Sequence, residues 1–394
     1  MDTVVAPPSP AGATLPPPFD TLNAQQRDAV AHGDDPMLVV AGAGSGKTLM
    51  LAARVARLVL DGADPRRILL MTFSRRAAAE LERRAGRLLH QALGLRGDLA
   101  PPQLPWAGTF HSVAARLLRE HAAQLGLPAD FTVVDRADAE ELMALVRTKL
   151  DLHDAATRFP LARSCLAILS RVLNSQGRLT DVLAQHFPWC AVHEAELRRL
   201  FDHYTQAKQA QRVLDYDDLL LLWQLAVSEP AVAQTMAARF SHVLVDEYQD
   251  TNRLQDAILR ALVPQGRGVT VVGDDAQAIY GFRAAEVDNL LGFPQRFTPA
   301  ARVLMLERNY RSTQPILQAA NAVIAQAERR FAKTLYSDKA SSQRPQLVHV
   351  DDEAAQATWV ADEVLRQREE GTRLKQQAVL FRTSHHSAAL ELEL

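Results

Sequence analysis

The chain has 394 residues, 47% of them hydrophobic and 23% charged, with a formal net charge of −2. Such a composition belongs to a globular protein large enough for two or three domains. It excludes a chain disordered throughout and a globally basic surface, so contact with nucleic acid requires a local groove. No apolar run reaches membrane-spanning length, and Cys165 and Cys190 alone give no disulfide framework, which predicts a reduced, cytoplasmic protein.

In chain order, the first eighteen residues hold Pro7, Pro8, Pro10, Pro16, Pro17 and Pro18 and lack the basic start and apolar centre of a secretion signal. They predict a disordered tail over 1–18. An apolar run over 37–40 then breaks into Ala41-Gly42-Ala43-Gly44-Ser45-Gly46-Lys47-Thr48. A buried strand followed by a glycine-rich turn and a helix builds a phosphate cradle, with backbone N–H groups pointing inward and the helix dipole favouring anions. Lys47 can reach the terminal phosphates, and Thr48 offers a hydroxyl to Mg²⁺. Ala41 stands where the usual pattern has glycine.

Further strands are predicted over 68–73, 242–245, 269–272 and 303–306, then 347–350 and 378–381, with helical stretches between them. That alternation indicates an α/β fold with a parallel sheet and ligands at the strand C-terminal ends. The interval 120–211 is different: Leu142, Leu145, Leu150 and Leu152, then Leu161, Leu166, Leu169 and Leu173, carry helical spacing. It reads as a helical insertion. Within it, His186, Cys190 and His193 have metal-like spacing without a fourth ligand nearby, so ordinary packing is the preferred reading. The closing stretch 384–394 reads as an amphipathic helix without a cap, the basis for expecting that the chain is part of a longer protein.

The strand at 242–245 ends in Asp246-Glu247, one carboxylate for Mg²⁺ and the next to polarise an attacking water. The strand at 269–272 leads to Gln277, a candidate γ-phosphate sensor. Tyr280, Phe282 and Arg283 follow, suited either to stacking on unpaired bases with a phosphate contact or, for the two aromatics, to a core. Arg311 follows the strand at 303–306 as a candidate arginine finger. Arg75, Arg76, Arg83, Arg84 and Arg87 suit a backbone-tracking face or, more simply, a solvated one.

Taken together, Leu22-Asn23-Ala24-Gln25-Gln26-Arg27, the phosphate loop, Thr72-Phe73-Ser74, Thr109-Phe110-His111-Ser112, Asp246-Glu247-Tyr248-Gln249-Asp250-Thr251-Asn252, 273–283 and Asn309-Tyr310-Arg311-Ser312 resemble the UvrD/Rep-type superfamily 1 DNA helicases. In that family the phosphate loop begins with alanine, as at Ala41. The resemblance implies a P-loop NTPase with a RecA-like parallel sheet, ATP and Mg²⁺ as cofactors, and ATP-driven 3′→5′ movement on single-stranded DNA and duplex junctions. Repair or recombination and a nucleoid-associated location follow as expectations.

It further implies Gln26 on the adenine edge and Tyr310 on its face, with Phe73, Thr109, Phe110, His111, Tyr280, Phe282 and Arg283 lining the DNA groove. The implied domains are a first RecA-like domain over 19–119 and 212–299, its insertion over 120–211, and the start of a second over 300–394. Three departures stand out: Leu49 for a common arginine, Phe282 for a frequent tryptophan, and the absence of the family's later motifs. Two other readings compete: a nucleotide-gated single-stranded DNA-binding module with little turnover, and the helicase part of a helicase–nuclease complex.

Overall fold

A computed structural model describes residues 17–94, 102–152 and 158–394. All but the last two residues of the expected tail therefore lie outside the described residues.

The chain divides into two compact units, Met1–Ala340 and Ser341–Leu394. The first is built on strands β1 (Met37–Ala41), β2 (Ile68–Thr72), β3 (Ala107–Thr109), β6 (His242–Val245), β7 (Val269–Gly273) and β8 (Arg302–Leu306). They form one parallel sheet in the order β3-β2-β6-β7-β1-β8. The remaining strands, β4 (Thr132–Val133) and β5 (Val213–Leu214), pair with each other at the two ends of the insertion.

The near-continuous apolar runs follow from burial on both faces, the condition of a parallel sheet. Because alternate side chains point to opposite sides, Leu38, Val40, Leu69, Met71, Val243 and Val245 enter one core. Met37, Val39, Ala41, Ile68, Leu70 and Leu244 enter the other. The insertion has a core of its own, from Leu142, Met143 and Val146 through Cys165, Leu166 and Cys190 to Leu200 and Tyr204. Its helices are Arg136–Lys149, Ala162–Ser175, Leu179–His186 and Glu194–Gln211. Cys190 is thus a core residue, and His193 stands edge-on to Phe159.

The C-terminal part was expected to be the start of a second domain over 300–394, with strands at 303–306, 347–350 and 378–381. The first of these is β8, which joins the first sheet beside β1, in register from Met37↔Arg302 to Ala41↔Leu306. Without it β1 would be an open edge immediately before the phosphate loop. The runs at 347–350 and 378–381 are not strands. Neither has a neighbouring strand among the described residues, so its N–H and C=O groups have no ladder to join. The helix Glu353–Glu369 instead meets the helix Ala388–Glu393, with Thr358 donating to Glu393.

Arg54, on the helix Lys47–Leu60, locks the sheet to the N-terminal helix Ala24–Ala31. Its buried guanidinium donates to Thr270 Oγ1 at 2.9 Å and to the carbonyls of Ala29, His32 and Gly33 at 2.8–3.0 Å. Desolvation pulls its pKa down to about 10. Arg54→Met leaves four acceptors without a donor, two of them buried, and should cost about 2–4 kcal/mol of stability, measured by urea unfolding against wild type.

Candidate nucleotide site and nucleic-acid groove

All six strands of the sheet run the same way, so their C-terminal loops meet at one edge. The loop after β1 turns through Gly44 and Gly46, both at positive φ (+74° and +81°), and Gly46 caps the helix Lys47–Leu60. Neither position tolerates a side chain. A Cβ on Gly44 would lie 2.7 Å from Arg311 Cβ, and one on Gly46 2.5 Å from Gln26 Nε2. Gln26 itself is pinned by a reciprocal capping box with Asn23 and donates to Ser45 O at 3.0 Å.

Lys47 Nζ lies 2.5 Å from Glu247 Oε2 and 4.0 Å from Asp246 Oδ1. Burial, with repulsion from Glu247 and only partial relief from Lys47, raises the Asp246 carboxyl to about 6. Its Oδ1 is buried without a hydrogen-bond partner among the described residues, as is Ser45 Oγ. A desolvated carboxylate oxygen with a free lone pair beside a phosphate cradle is the donor that Mg²⁺ takes, and Thr48 stands next in the adjoining helix. The residues therefore fit a metal–triphosphate group.

Glu247 adopts a left-handed backbone (φ +53°), uncommon for a residue with a Cβ and indicative of local strain. Its carboxylate is held by Lys47 and by Gln249 Nε2 at 2.8 Å. Gln249, buried, accepts through Oε1 from the Asp274 N–H at 2.9 Å. Asp274 Oδ2 in turn accepts from Gln277 Nε2 at 2.7 Å. Gln277 thus joins the Lys47–Asp246–Glu247 group through a relay rather than by direct contact. Gln249, on which that relay turns, was not singled out in the sequence.

The segment after β8 clasps the phosphate loop. Asn309 Nδ2 donates to Ala43 O at 2.6 Å, and the Tyr310 N–H donates to Gly44 O at 2.9 Å. The Tyr310 hydroxyl accepts from Asn23 at 2.9 Å, and Arg308 lies over its ring. This brings Tyr310 and Gln26 to the same loop. Arg311 is exposed, its guanidinium without a partner among the described residues.

On the other side of Asp246 and Glu247 lies a cavity of about 720 Å³ between the sheet and the insertion. Phe73 and Tyr280 stand 4.9 Å apart between ring centroids, and Tyr280 and Phe282 5.8 Å. Arg283 lies 5.5 Å from both of the latter rings. Phe282 is 69% exposed and Phe73 37%, so this ladder is open to a partner rather than buried in a core. Arg171, from the insertion, donates to Gly281 O at 2.8 Å and meets His186 at 3.0 Å.

Thr109, Phe110 and His111 all line this cavity. Phe110 borders the cavity, but its ring is core-packed against Trp223 at 6.3 Å. Thr109 spends its hydroxyl capping the helix Phe110–Glu120, which leaves it little to offer a ligand. His111 faces the cavity edge-on to Tyr216, and burial lowers it to about 4, so it is neutral and carries no charge for phosphate. Among the arginines of the helix Arg75–Ala92, Arg83 and Arg84 pair with Glu80.

The profile of the UvrD/REP helicase N-terminal domain matches residues 22–298, and that of the UvrD-like helicase C-terminal domain matches 304–394. The chain is 38% identical over 397 residues to the ATP-dependent DNA helicase UvrD1 of Mycobacterium tuberculosis, covering 98% of this chain and 49% of that protein. It is 35% identical over 375 residues to DNA helicase II of Salmonella typhimurium, covering 95% and 50%. To the ATP-dependent DNA helicase PcrA of Staphylococcus aureus it is 31% identical over 373 residues, covering 94% and 49%. The chain spans about half the length of these curated relatives. No helix among its described residues is long and apolar enough to cross a membrane.

Asp250, whose Oδ1 is also buried without a hydrogen-bond partner among the described residues, is raised to about 7 by desolvation and by Glu247, with Lys47 only partly offsetting them. A carboxyl raised on folding favours the folded state below its unfolded pKa, near 3.8, and loses that contribution as pH climbs through about 7. Asp250→Asn should therefore stabilise the protein at pH 8 by about 1–4 kcal/mol. The difference should vanish near pH 4, as read by thermal unfolding across that range.

Proposed function

The chain belongs to the UvrD/REP helicase family, and on that premise we propose that it is the ATP-hydrolysing part of a DNA helicase or translocase that moves 3′→5′ on single-stranded DNA in repair or recombination. In this reading 19–119 and 212–299 form the RecA-like ATP-binding domain, 120–211 is its insertion, and the unit after Ala340 belongs to the second domain. Single-stranded DNA and duplex junctions are the substrates.

The observation that carries the reading is the unbroken path from the triphosphate end to the aromatic ladder. Lys47 meets Glu247, Glu247 meets Gln249, Gln249 meets Asp274, and Asp274 meets Gln277. Tyr280 and Phe282 stand on the same loop, beyond Gln277. A change at the γ-phosphate that moves Gln277 thus moves the loop that carries the stacking surface.

Bound Mg²⁺ supplies charge neutralisation of the phosphates and would be held by Thr48 and Asp246. Lys47, freed from Glu247 by competition with phosphate, neutralises the terminal phosphate charge. Glu247 then orients and deprotonates the attacking water, its carboxylate held in place by Gln249. Arg311, exposed and unpaired among the described residues, is available to the developing charge. Gln26 reads the base edge and Tyr310 stacks on its face. Phe73, Tyr280 and Phe282 stack on unpaired bases, with Arg283 at the phosphates and the Thr109–His111 segment along the groove wall.

Lys47→Ala should lower ATP turnover by at least about a hundredfold. Phe282→Ala should weaken single-stranded DNA binding by about five- to a hundredfold while leaving ATP hydrolysis without DNA intact. Both are read by phosphate release with and without oligodeoxythymidylate and by fluorescence anisotropy of a labelled strand.

A further inference from the structure

Residues 331–336 carry none of the recognised motifs, yet they touch both loops of the site. The segment is extended, with Phe331 and Lys333 buried, Leu335 half-buried, and Ala332, Thr334 and Tyr336 exposed, the alternation of a strand. Its backbone is fastened to the continuation of β8. The Thr334 N–H donates to the Glu307 carboxylate at 2.8 Å, the Tyr336 N–H to Glu307 O at 3.1 Å, and the Asn309 N–H to Tyr336 O at 2.7 Å.

The inward side chains reach in two directions. The methyl groups of Leu335 fill the space that a Cβ on Gly42 would take. Lys333 inserts its ammonium between Asp274, at 2.8 Å from Oδ1, and Asp275. All three side chains are at most 4% exposed. The second oxygen of Asp275 accepts the Phe331 N–H at 3.2 Å, and the second oxygen of Asp274 is the one that holds Gln277.

We propose that Lys333 is a positioning residue for hydrolysis: by clamping Asp274 it sets the Gln277 carboxamide and anchors the root of the aromatic loop, while Leu335 ties the same strap to the phosphate loop. The inference rests on the function proposed above. Two adjacent desolvated carboxylates repel each other, and Lys333 is the cation that ion-pairs with both. A compact ammonium can bridge two carboxylates from a single atom, which a planar guanidinium does less readily. With Lys333 in place, Asp274 presents one oxygen to the lysine and keeps the other for Gln277.

The test is steady-state ATP hydrolysis by the full chain with saturating single-stranded DNA, beside thermal unfolding. Lys333→Met should lower kcat by about ten- to a hundredfold while KM for ATP stays within about twofold. Combining Lys333→Met with Asp275→Asn restores the charge balance of the buried group, so this double variant should regain the wild-type unfolding midpoint but not kcat. It also carries the test if the single variant fails to fold.

A Lys333→Met protein with wild-type kcat overturns the inference. So does a double variant in which kcat returns together with the midpoint, since charge balance alone would then explain the lysine. Lys47→Ala separates the two levels. If it turns over as wild type does, the functional reading falls and this inference with it. If it is inactive while Lys333→Met is normal, only the role of Lys333 falls.

Discussion

One ammonium group, at the end of the loop after β1, faces two successive carboxylates at the end of β6, and the rest of the site is arranged around that imbalance. Lys47 closes on Glu247, leaving Asp246 buried, raised and with one oxygen that has no hydrogen-bond partner among the described residues. An unpaired buried acceptor of this kind costs free energy in any state that does not supply a ligand. The cost is tolerable where a cation and a polyphosphate arrive together, since they satisfy the carboxylate and compete for the lysine. The parallel sheet makes the meeting possible: β6, β7 and β1 are neighbours, so the carboxylates, the Gln277 loop and the phosphate loop leave the same edge side by side.

From that edge the structure spreads its connections in two directions. On the β8 side, Asn309 and Tyr310 hold the phosphate loop through backbone carbonyls, so the cradle is shaped by a segment 266 residues away in sequence. On the insertion side, Arg171 grips the backbone at Gly281, and Asn174 bridges Asp217 to Asn252, just past the acidic motif. The aromatic ladder therefore stands between the sheet and the insertion, held from both. The insertion contributes position as well as surface.

The sequence made the sheet and the glycine-rich turn after β1 legible because both depend on local patterns. The five runs that form β1, β2, β6, β7 and β8 are short, apolar and punctuated, and the glycine-rich turn admits few conformations. Placement across the chain was harder. The pairing of β8 with β1 is a long-range choice that a five-residue run does not encode. The runs at 347–350 and 378–381 have strand-like composition, but a strand needs a neighbour. Phe110 sits in a groove-lining motif, yet its position on the helix Phe110–Glu120 turns the ring toward Trp223. Gln249 and Lys333 were passed over because their roles exist only through partners distant in sequence. The alternation of 331–336 was the available sign, and a lysine at an inward position of it was the anomaly to notice.

If the nucleotide pocket and the aromatic ladder are joined through Glu247, Gln249, Asp274 and Gln277, binding at one must change affinity at the other by the same factor in both directions. The direct measurement is the affinity of the chain for a non-hydrolysable ATP analogue with and without single-stranded DNA, and for the DNA with and without the analogue. The account predicts matching factors of about five or more, collapsing toward one in Gln249→Ala. Affinities independent of the second ligand in wild type would contradict it.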